Sequence, residues 1–100
     1  MAQEELQKQG QTIVRPITRE PKKYRVVILN DDFTTFEFVI SVVMSVFNKT
    51  YEEACTIAET THVNKKATVG TYSLDIARSK VAKATAMARE EGFPLRFDIE

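Results

Sequence analysis

Apolar and polar positions along this chain change period from segment to segment, and each period indicates a strand or a helix. Tyr24 to Leu29 is an apolar run rich in β-branched residues, which is typical of a strand buried on both faces. Ala67 to Tyr72 alternates weakly and predicts a second strand, in which Gly70 marks a bulge or a close approach. Leu95 to Glu100 alternates apolar with charged residues and predicts a half-buried third strand.

Apolar residues at helical spacing occupy the segments between these strands. A capping-box pattern at Thr34 and Glu37 predicts that the first helix starts at Thr34, and Asn48 can end it in a left-handed conformation. The same pattern at residues 50–53 starts a second helix, which we expect to run to about His62.

A third helix is predicted after Ser73, and Gly92 and Pro94 end it in the usual order. The element order is then β-α-α-β-α-β. Because every element must bury its apolar face, we expect a small α+β sandwich, in which the helices pack on one face of an antiparallel sheet of three strands. This domain is predicted to cover residues 24–100.

Residues 1–23 differ in kind from the rest of the chain. They contain Pro16 and Pro21, no aromatic residue, and many Gln, Glu, Lys and Arg side chains. Too little apolar surface is available there to offset the entropy of ordering, so we predict a flexible N-terminal arm. A working arm and a tail without function are equally compatible with this composition.

Charge and cysteine content exclude several classes of protein. The chain has 14 basic and 14 acidic side chains, which argues against a nucleic-acid-binding protein, since such proteins neutralise phosphates with Lys and Arg. The single cysteine, Cys55, cannot form an internal disulfide and favours a reducing compartment. No apolar run reaches membrane-spanning length. We therefore expect a cytoplasmic protein that binds no membrane and no nucleic acid.

The end of the first strand carries the strongest candidate for binding chemistry. Asn30, Asp31 and Asp32 place side-chain oxygen acceptors at a strand-to-helix turn. Residues of these types also occur in ordinary turns, and acidic residues complement the positive end of a helix. However, Asn30 ends an apolar strand, and a polar amide at that depth needs a partner. The cluster would suit a cation that donates several hydrogen bonds and carries an apolar group.

Other chemistry is less well supported by the residues present. His62 is the only histidine, and with Asp31 and Asp32 it could bind a divalent ion, although the usual metal-ligand spacings are absent. We expect no metal and no cofactor. Cys55 falls on the predicted inner face of the second helix, where a cysteine is usually a small buried apolar residue. We expect a binding protein rather than an enzyme.

One segment is distinctive enough to indicate a family. The run VVILNDDFTTFEFVI at residues 26–40 combines with His62, with GTYSLDIARSKVA at residues 70–82 and with FPLRFDIE at the C-terminal end. Together these segments resemble the ClpS family, the adaptors that select proteins for the ATP-dependent Clp protease. The resemblance covers about residues 22–100.

The resemblance implies a function. Such adaptors bind the N-terminal residue of a protein, typically Leu, Phe, Tyr or Trp, and deliver that protein to a ClpA-type hexameric unfoldase under the bacterial N-end rule. The implied partners are substrate proteins with a free hydrophobic N-terminal residue and the N-terminal domain of the unfoldase. The arm matches the flexible segment that these adaptors offer to the unfoldase pore. We expect this adaptor to be a monomer.

The resemblance also implies roles for single residues. Asn30, Asp32 and His62 would bind the α-amino group of the substrate, with Asp31 beside them. Asp75 and Lys80 match positions on the third helix that contact the unfoldase. The implied side-chain pocket is lined by Ile28, Leu29, Thr34, Phe36, Val39, Ala58, Thr61 and Leu95.

Two questions stay open from the sequence. Phe36 and Ala58 stand where the family usually has methionine, and Thr61 where it usually has valine, so the order of preference among first residues is undetermined. The alternative function is an interaction module with the fold of the ribosomal stalk domain, which would dock translation factors without recognising an N-terminal residue. Such a module would not need the acceptor cluster.

Overall fold

An antiparallel sheet forms one layer of the computed structural model, which describes residues 22–100 of the chain. Its strands are β1 (Tyr24–Leu29), β2 (Lys66–Tyr72) and β3 (Arg96–Ile99), and β1 lies between β2 and β3. The β-branched run predicted as a strand is therefore the centre of the sheet. The predicted arm lies outside the described residues except for its last two positions.

The central strand is buried on both faces, as its composition predicts. Val26 and Ile28 are fully buried in the core, and Val27 is also buried, although successive strand residues point to opposite faces. Ile28 was expected to line the ligand pocket, but it packs inside the core instead. Its neighbour Leu29 is only half-buried at the end of the strand.

Gly70 lies next to a bulge in β2. Val26 pairs with Gly70 and Val27 with Thr68, which leaves Val69 as the extra residue. A Cβ atom at Gly70 would lie 2.5 Å from the hydroxyl oxygen of Tyr72, so a larger residue would displace that ring. The expectation of a bulge and a close approach at this glycine is confirmed.

The first helix, α1 (Phe36–Phe47), begins later than the capping pattern predicts. Thr35, and not Thr34, is its N-cap, and its hydroxyl oxygen accepts a hydrogen bond of 3.1 Å from the N–H of Phe38. The hydroxyl of Thr34 donates to Asp31 and is therefore used in the preceding loop. Asn48 ends the helix at a φ of 60°, the left-handed conformation expected for it.

The second helix, α2 (Tyr51–Asn64), starts with the predicted capping box. Thr50 accepts a hydrogen bond from the N–H of Glu53, whose carboxylate accepts one from the N–H of Thr50. Cys55 on this helix was expected to be buried in the core. Instead it is half-buried, one helical turn after Tyr51. A hydrogen bond with Cys55 raises the pKa of the Tyr51 hydroxyl.

The helices form the second layer, and small residues let them approach the sheet. The third helix, α3 (Leu74–Glu90), buries only alanines completely, at positions 77, 84 and 88. The rest of the core consists mainly of valine side chains from α1 and the sheet, joined by Ile28, Phe47, Leu95 and the alanines at positions 54, 58 and 67. No helix within residues 22–100 is both long and apolar enough to cross a membrane.

Candidate functional site

Asp31 shapes the loop between β1 and α1. One oxygen of its carboxylate accepts hydrogen bonds from the N–H groups of Phe33 (2.8 Å) and Thr34 (2.7 Å), and the other accepts from the hydroxyl of Thr34 (2.8 Å). Partial burial raises the pKa of Asp31, but these hydrogen bonds and the charge of Arg89 outweigh burial and leave the pKa below its ordinary value. The carboxylate is thus held ionised by the loop that it organises.

A backbone contact brings His62 close to this loop. The N–H of Asn30 donates a hydrogen bond of 2.9 Å to the carbonyl of Lys65, just beyond the end of α2. Lys65 has a φ of 75°, and this left-handed turn redirects the chain from α2 into β2. The ring of His62, in the last turn of α2, meets the ring of Phe36 edge-on, with 6.1 Å between centroids and 77° between planes.

These segments enclose a cavity of about 540 Å³. All of its lining residues were predicted as site residues from the sequence. They are Leu29, Asn30, Asp31, Asp32, Thr34, Phe36, Val39, Ala58, Thr61, His62 and Leu95. Ile28 is the one predicted member that does not line the cavity, since strand alternation turns it into the core while Leu29 faces the opening.

The acceptors at the cavity differ in how they are used. Both oxygens of Asp31 already accept hydrogen bonds from its own loop. Within residues 22–100, no hydrogen bond or ion pair engages the side chains of Asn30, Asp32 or His62. Asn30 is half-buried, and Asp32 and His62 are exposed. The acceptors left for a ligand are therefore the three that the resemblance assigned to the α-amino group.

The rest of the cavity wall is apolar. Val39, Ala58 and Leu95 are at most 8% exposed and form its buried part, whereas Phe36 is 45% exposed. Thr61 also lines it, and its hydroxyl donates a hydrogen bond of 2.7 Å to the carbonyl of Ile57 in the preceding turn of the helix. The hydroxyl that distinguishes Thr61 from valine is thus satisfied within α2.

Arg89, which sequence reasoning missed, positions one side of this cavity. Its guanidinium donates to the carbonyl of Phe93 (2.9 Å) and to that of Leu95 (2.8 Å), and so fixes the loop between α3 and β3. Leu95 is 1% exposed and lines the cavity directly after that loop. The available signal was a basic residue in the last turn of a helix that ends before Gly92, where cations satisfy free carbonyls.

The two residues matched to unfoldase contacts lie on α3 and do not line the cavity. Asp75 is exposed in the first turn. Lys80 has a structural partner as well, because its ammonium donates a hydrogen bond of 2.7 Å to the carbonyl of Val46 near the end of α1. The same ammonium lies 5.4 Å from the centre of the Tyr72 ring.

Metal ligands are not assembled in the part of the chain that the structure describes. There, no group of three or more His, Cys, Asp and Glu side chains is arranged to hold a metal ion. Asp31, Asp32 and His62 share one cavity, but the carboxylate of Asp31 is directed to its own loop.

Comparison with known proteins identifies the family of the chain. The family described as ATP-dependent Clp protease adaptor protein ClpS matches residues 19–98. The chain is 44% identical over 98 residues to the ATP-dependent Clp protease adapter protein ClpS of Treponema denticola, covering 96% of this chain and 97% of that protein. It is 45% identical over 93 residues to the protein of the same name from Acetivibrio thermocellus, covering 89% and 94% respectively.

A solved structure of this family has the same fold. Agrobacterium tumefaciens ClpS2, bound to L-phenylalaninamide, superimposes with a TM-score of 0.78 and 40% sequence identity, covering 81% of this chain and 98% of that one. This similarity confirms the predicted α+β architecture, and the names of the relatives are those of an adaptor and not of an enzyme. Matching its relatives over nearly their whole length, the chain belongs to the ClpS family of adaptors of the ATP-dependent Clp protease.

Proposed function

We propose that this adaptor binds the first residue of a substrate protein by its free α-amino group and its large hydrophobic side chain. One observation carries the proposal: Asn30, Asp32 and His62, whose acceptors are not used elsewhere in the described residues, line the same cavity as a buried apolar wall. The solved relative from Agrobacterium tumefaciens supports it, since L-phenylalaninamide has a free α-amino group and a phenyl side chain.

The acceptors match the chemistry of a protein N-terminus. An α-amino group is largely a cation at neutral pH and has three donors, because its pKa is near about 8. Asn30, Asp32 and His62 offer one acceptor each for these donors, and the carboxylate of Asp31 adds negative charge nearby. An internal residue has one N–H and no charge, so it would leave acceptors unpaired at roughly 1–3 kcal/mol each when they are buried.

The apolar wall provides the preference for a hydrophobic first residue. The cavity volume of about 540 Å³ is large enough for any natural side chain. Ala58 leaves more room in it than the methionine that the family usually has at this position. Burial of apolar area is worth about 25 cal/mol per Å², which favours Leu, Phe, Tyr or Trp over small residues. The ring of Phe36 stands at the exposed part of the cavity and can cover the bound side chain.

Delivery is the second half of the proposed function. The exposed first turn of α3 with Asp75, together with Lys80, is the surface that we assign to the N-terminal domain of a ClpA-type unfoldase. The adaptor would act as a monomer and present residues 1–23 to the unfoldase pore. A cytoplasmic setting stays a prediction, which rests on the single cysteine Cys55.

Substitutions of the acceptors test the proposed function. The variants Asn30→Ala and His62→Ala should each bind a fluorescent peptide that begins with Phe about tenfold more weakly than the unchanged protein, because each leaves an ammonium donor without its acceptor. Fluorescence anisotropy measures this change. Asn64→Ala is the matched control, since Asn64 is exposed on the same helix as His62 and does not line the cavity.

Unchanged peptide affinity in both Asn30→Ala and His62→Ala would contradict the assignment of the α-amino site. It would favour the alternative of a docking module that does not read an N-terminal residue.

A further inference from the structure

A second cavity, which the proposed function does not use, adjoins the first. Its volume is about 300 Å³, and it shares the segment from Leu29 to Asp32 with the larger cavity. Its other walls are Phe33, Pro94 and Arg96, none of which line the larger cavity. The acceptor segment therefore forms the boundary between the two cavities.

Both walls of the second cavity are fixed without a ligand. The N–H of Phe33 donates to the carboxylate of Asp31, which holds the backbone that carries the ring. The carbonyls on either side of Pro94, those of Phe93 and Leu95, both accept hydrogen bonds from Arg89. A site whose backbone is already ordered costs little conformational entropy to occupy.

One side of this cavity, formed by Phe33 and Pro94, is suited to an apolar group, whereas Asn30, Asp31, Asp32 and Arg96 make the rest of its lining polar. Phe33 is 73% exposed, more than the other large hydrophobic residues that are exposed in residues 22–100. Its neighbours Pro94 and Arg96 are also exposed, and an arginine can stack on an aromatic ring. An exposed aromatic side chain on an ordered backbone gains the most when a second flat side chain covers it.

We infer that the second cavity takes the side chain of the substrate's second residue and prefers an aromatic side chain there to a small one. The inference rests on the proposed function, since it needs the α-amino group at Asn30 and Asp32. Consecutive Cα atoms lie about 3.8 Å apart, so the second residue starts beside the segment that both cavities share.

The charges in the second cavity do not select a charged side chain. The carboxylate of Asp31 already accepts three hydrogen bonds from the loop. Asp31, Asp32 and Arg96 leave one net negative charge in the lining, and the ammonium group of a substrate bound at the same segment offsets that charge. Shape and apolar contact are then the features that distinguish one second residue from another.

Peptides that differ only in their second residue test this inference. The unchanged protein should bind a peptide that begins Phe-Phe about three- to tenfold more tightly than one that begins Phe-Ala, as expected for an added aromatic contact. In Phe33→Ala this preference should fall to about one, while the affinity for the Phe-Ala peptide stays unchanged. Tyr51→Ala is the matched control, because Tyr51 is an exposed aromatic residue that lines neither cavity.

Fluorescence anisotropy with free and N-acetylated forms of both peptides distinguishes a failure of the second subsite from a failure of the α-amino site. Equal affinity for Phe-Phe and Phe-Ala in the unchanged protein, or a preference that survives in Phe33→Ala, would overturn the second subsite. If acetylation still abolishes binding in that case, the α-amino site stands and only the subsite fails. If acetylation has no effect, the proposed function fails and the subsite fails with it.

Discussion

Asp31 shows how the roles of neighbouring acidic residues can differ. Asp31 and Asp32 are adjacent, yet Asp31 accepts hydrogen bonds from Phe33 and Thr34, whereas Asp32 is exposed at the cavity. The first carboxylate shapes the turn, and the second remains available to a ligand. This division could be partly expected, since an Asp that precedes a Thr by three residues commonly organises a turn through its side chain.

Replacement of Asp31 should reduce stability in a way that depends on pH. Asp31→Asn loses charge-assisted hydrogen bonds and should lower the free energy of unfolding by about 1–2 kcal/mol at neutral pH. The folded pKa of Asp31 is lowered, so its contribution is complete above the unfolded pKa of about 3.9 and is lost as the pH falls through the folded value. Urea unfolding from pH 7 down to pH 3 measures this difference.

The difference between Asp31→Asn and the unchanged protein should therefore shrink below about pH 4. Asp98→Asn is the control, since Asp98 is an exposed residue of β3 that lines none of the cavities described above and should cost little stability. A difference that keeps the same size from neutral to acid pH would show that the charge of Asp31 is not what stabilises the loop.

At the scale of the helices and strands, local signals predicted most of the fold. The capping box of α2, the left-handed stop at Asn48 and the bulge at Gly70 are all present, because each depends on residues close in sequence. The start of α1 was placed one residue early, since the hydroxyl of Thr34 binds Asp31 and leaves the cap to Thr35. A helix cap at Thr34 and one at Thr35 were both compatible with the sequence.

Contacts between distant segments could not be predicted in the same way. Lys80 reaches Val46 across 34 positions, and the N–H of Asn30 reaches the carbonyl of Lys65 beyond the end of α2. Strand alternation predicts that Ile28 and Leu29 point to opposite faces, but not which of the two faces the cavity. The pocket residues could be predicted because a resemblance supplied them, whereas Arg89 had only the weaker signal of a basic residue in the last turn of a helix and the second cavity had none.

Lys80 should stabilise the end of α1, which has no basic residue in its own last turn. Lys80→Met removes the hydrogen bond to the carbonyl of Val46 and the contact with Tyr72, and should lower the free energy of unfolding by about 1 kcal/mol. Lys83→Met is the control, because Lys83 is exposed on the same helix. Equal stability of the two variants in urea would show that the contact is not stabilising.

At the scale of the whole molecule, the site exists only when distant segments have come together. Asn30 follows β1, His62 lies in the last turn of α2, and Leu95 precedes β3. The hydrogen bond from Asn30 to Lys65 joins the end of β1 to the turn after α2, and the bonds from Arg89 to the Phe93 and Leu95 carbonyls fix the loop that carries Leu95. The fold thus places a cluster of acceptors at the opening of an apolar cavity, which is what a charged protein N-terminus with a hydrophobic side chain requires.

The most direct test compares one peptide with a free and with an acetylated N-terminus. Both begin with Phe and have the same sequence, so they differ only in the acetyl group, which removes the charge and two of the three donors of the first nitrogen. In fluorescence anisotropy, the free peptide should bind and the acetylated peptide should bind at least about tenfold more weakly, because acetylation leaves acceptors at Asn30, Asp32 and His62 unpaired. Equal affinities for the two peptides would contradict recognition of the α-amino group.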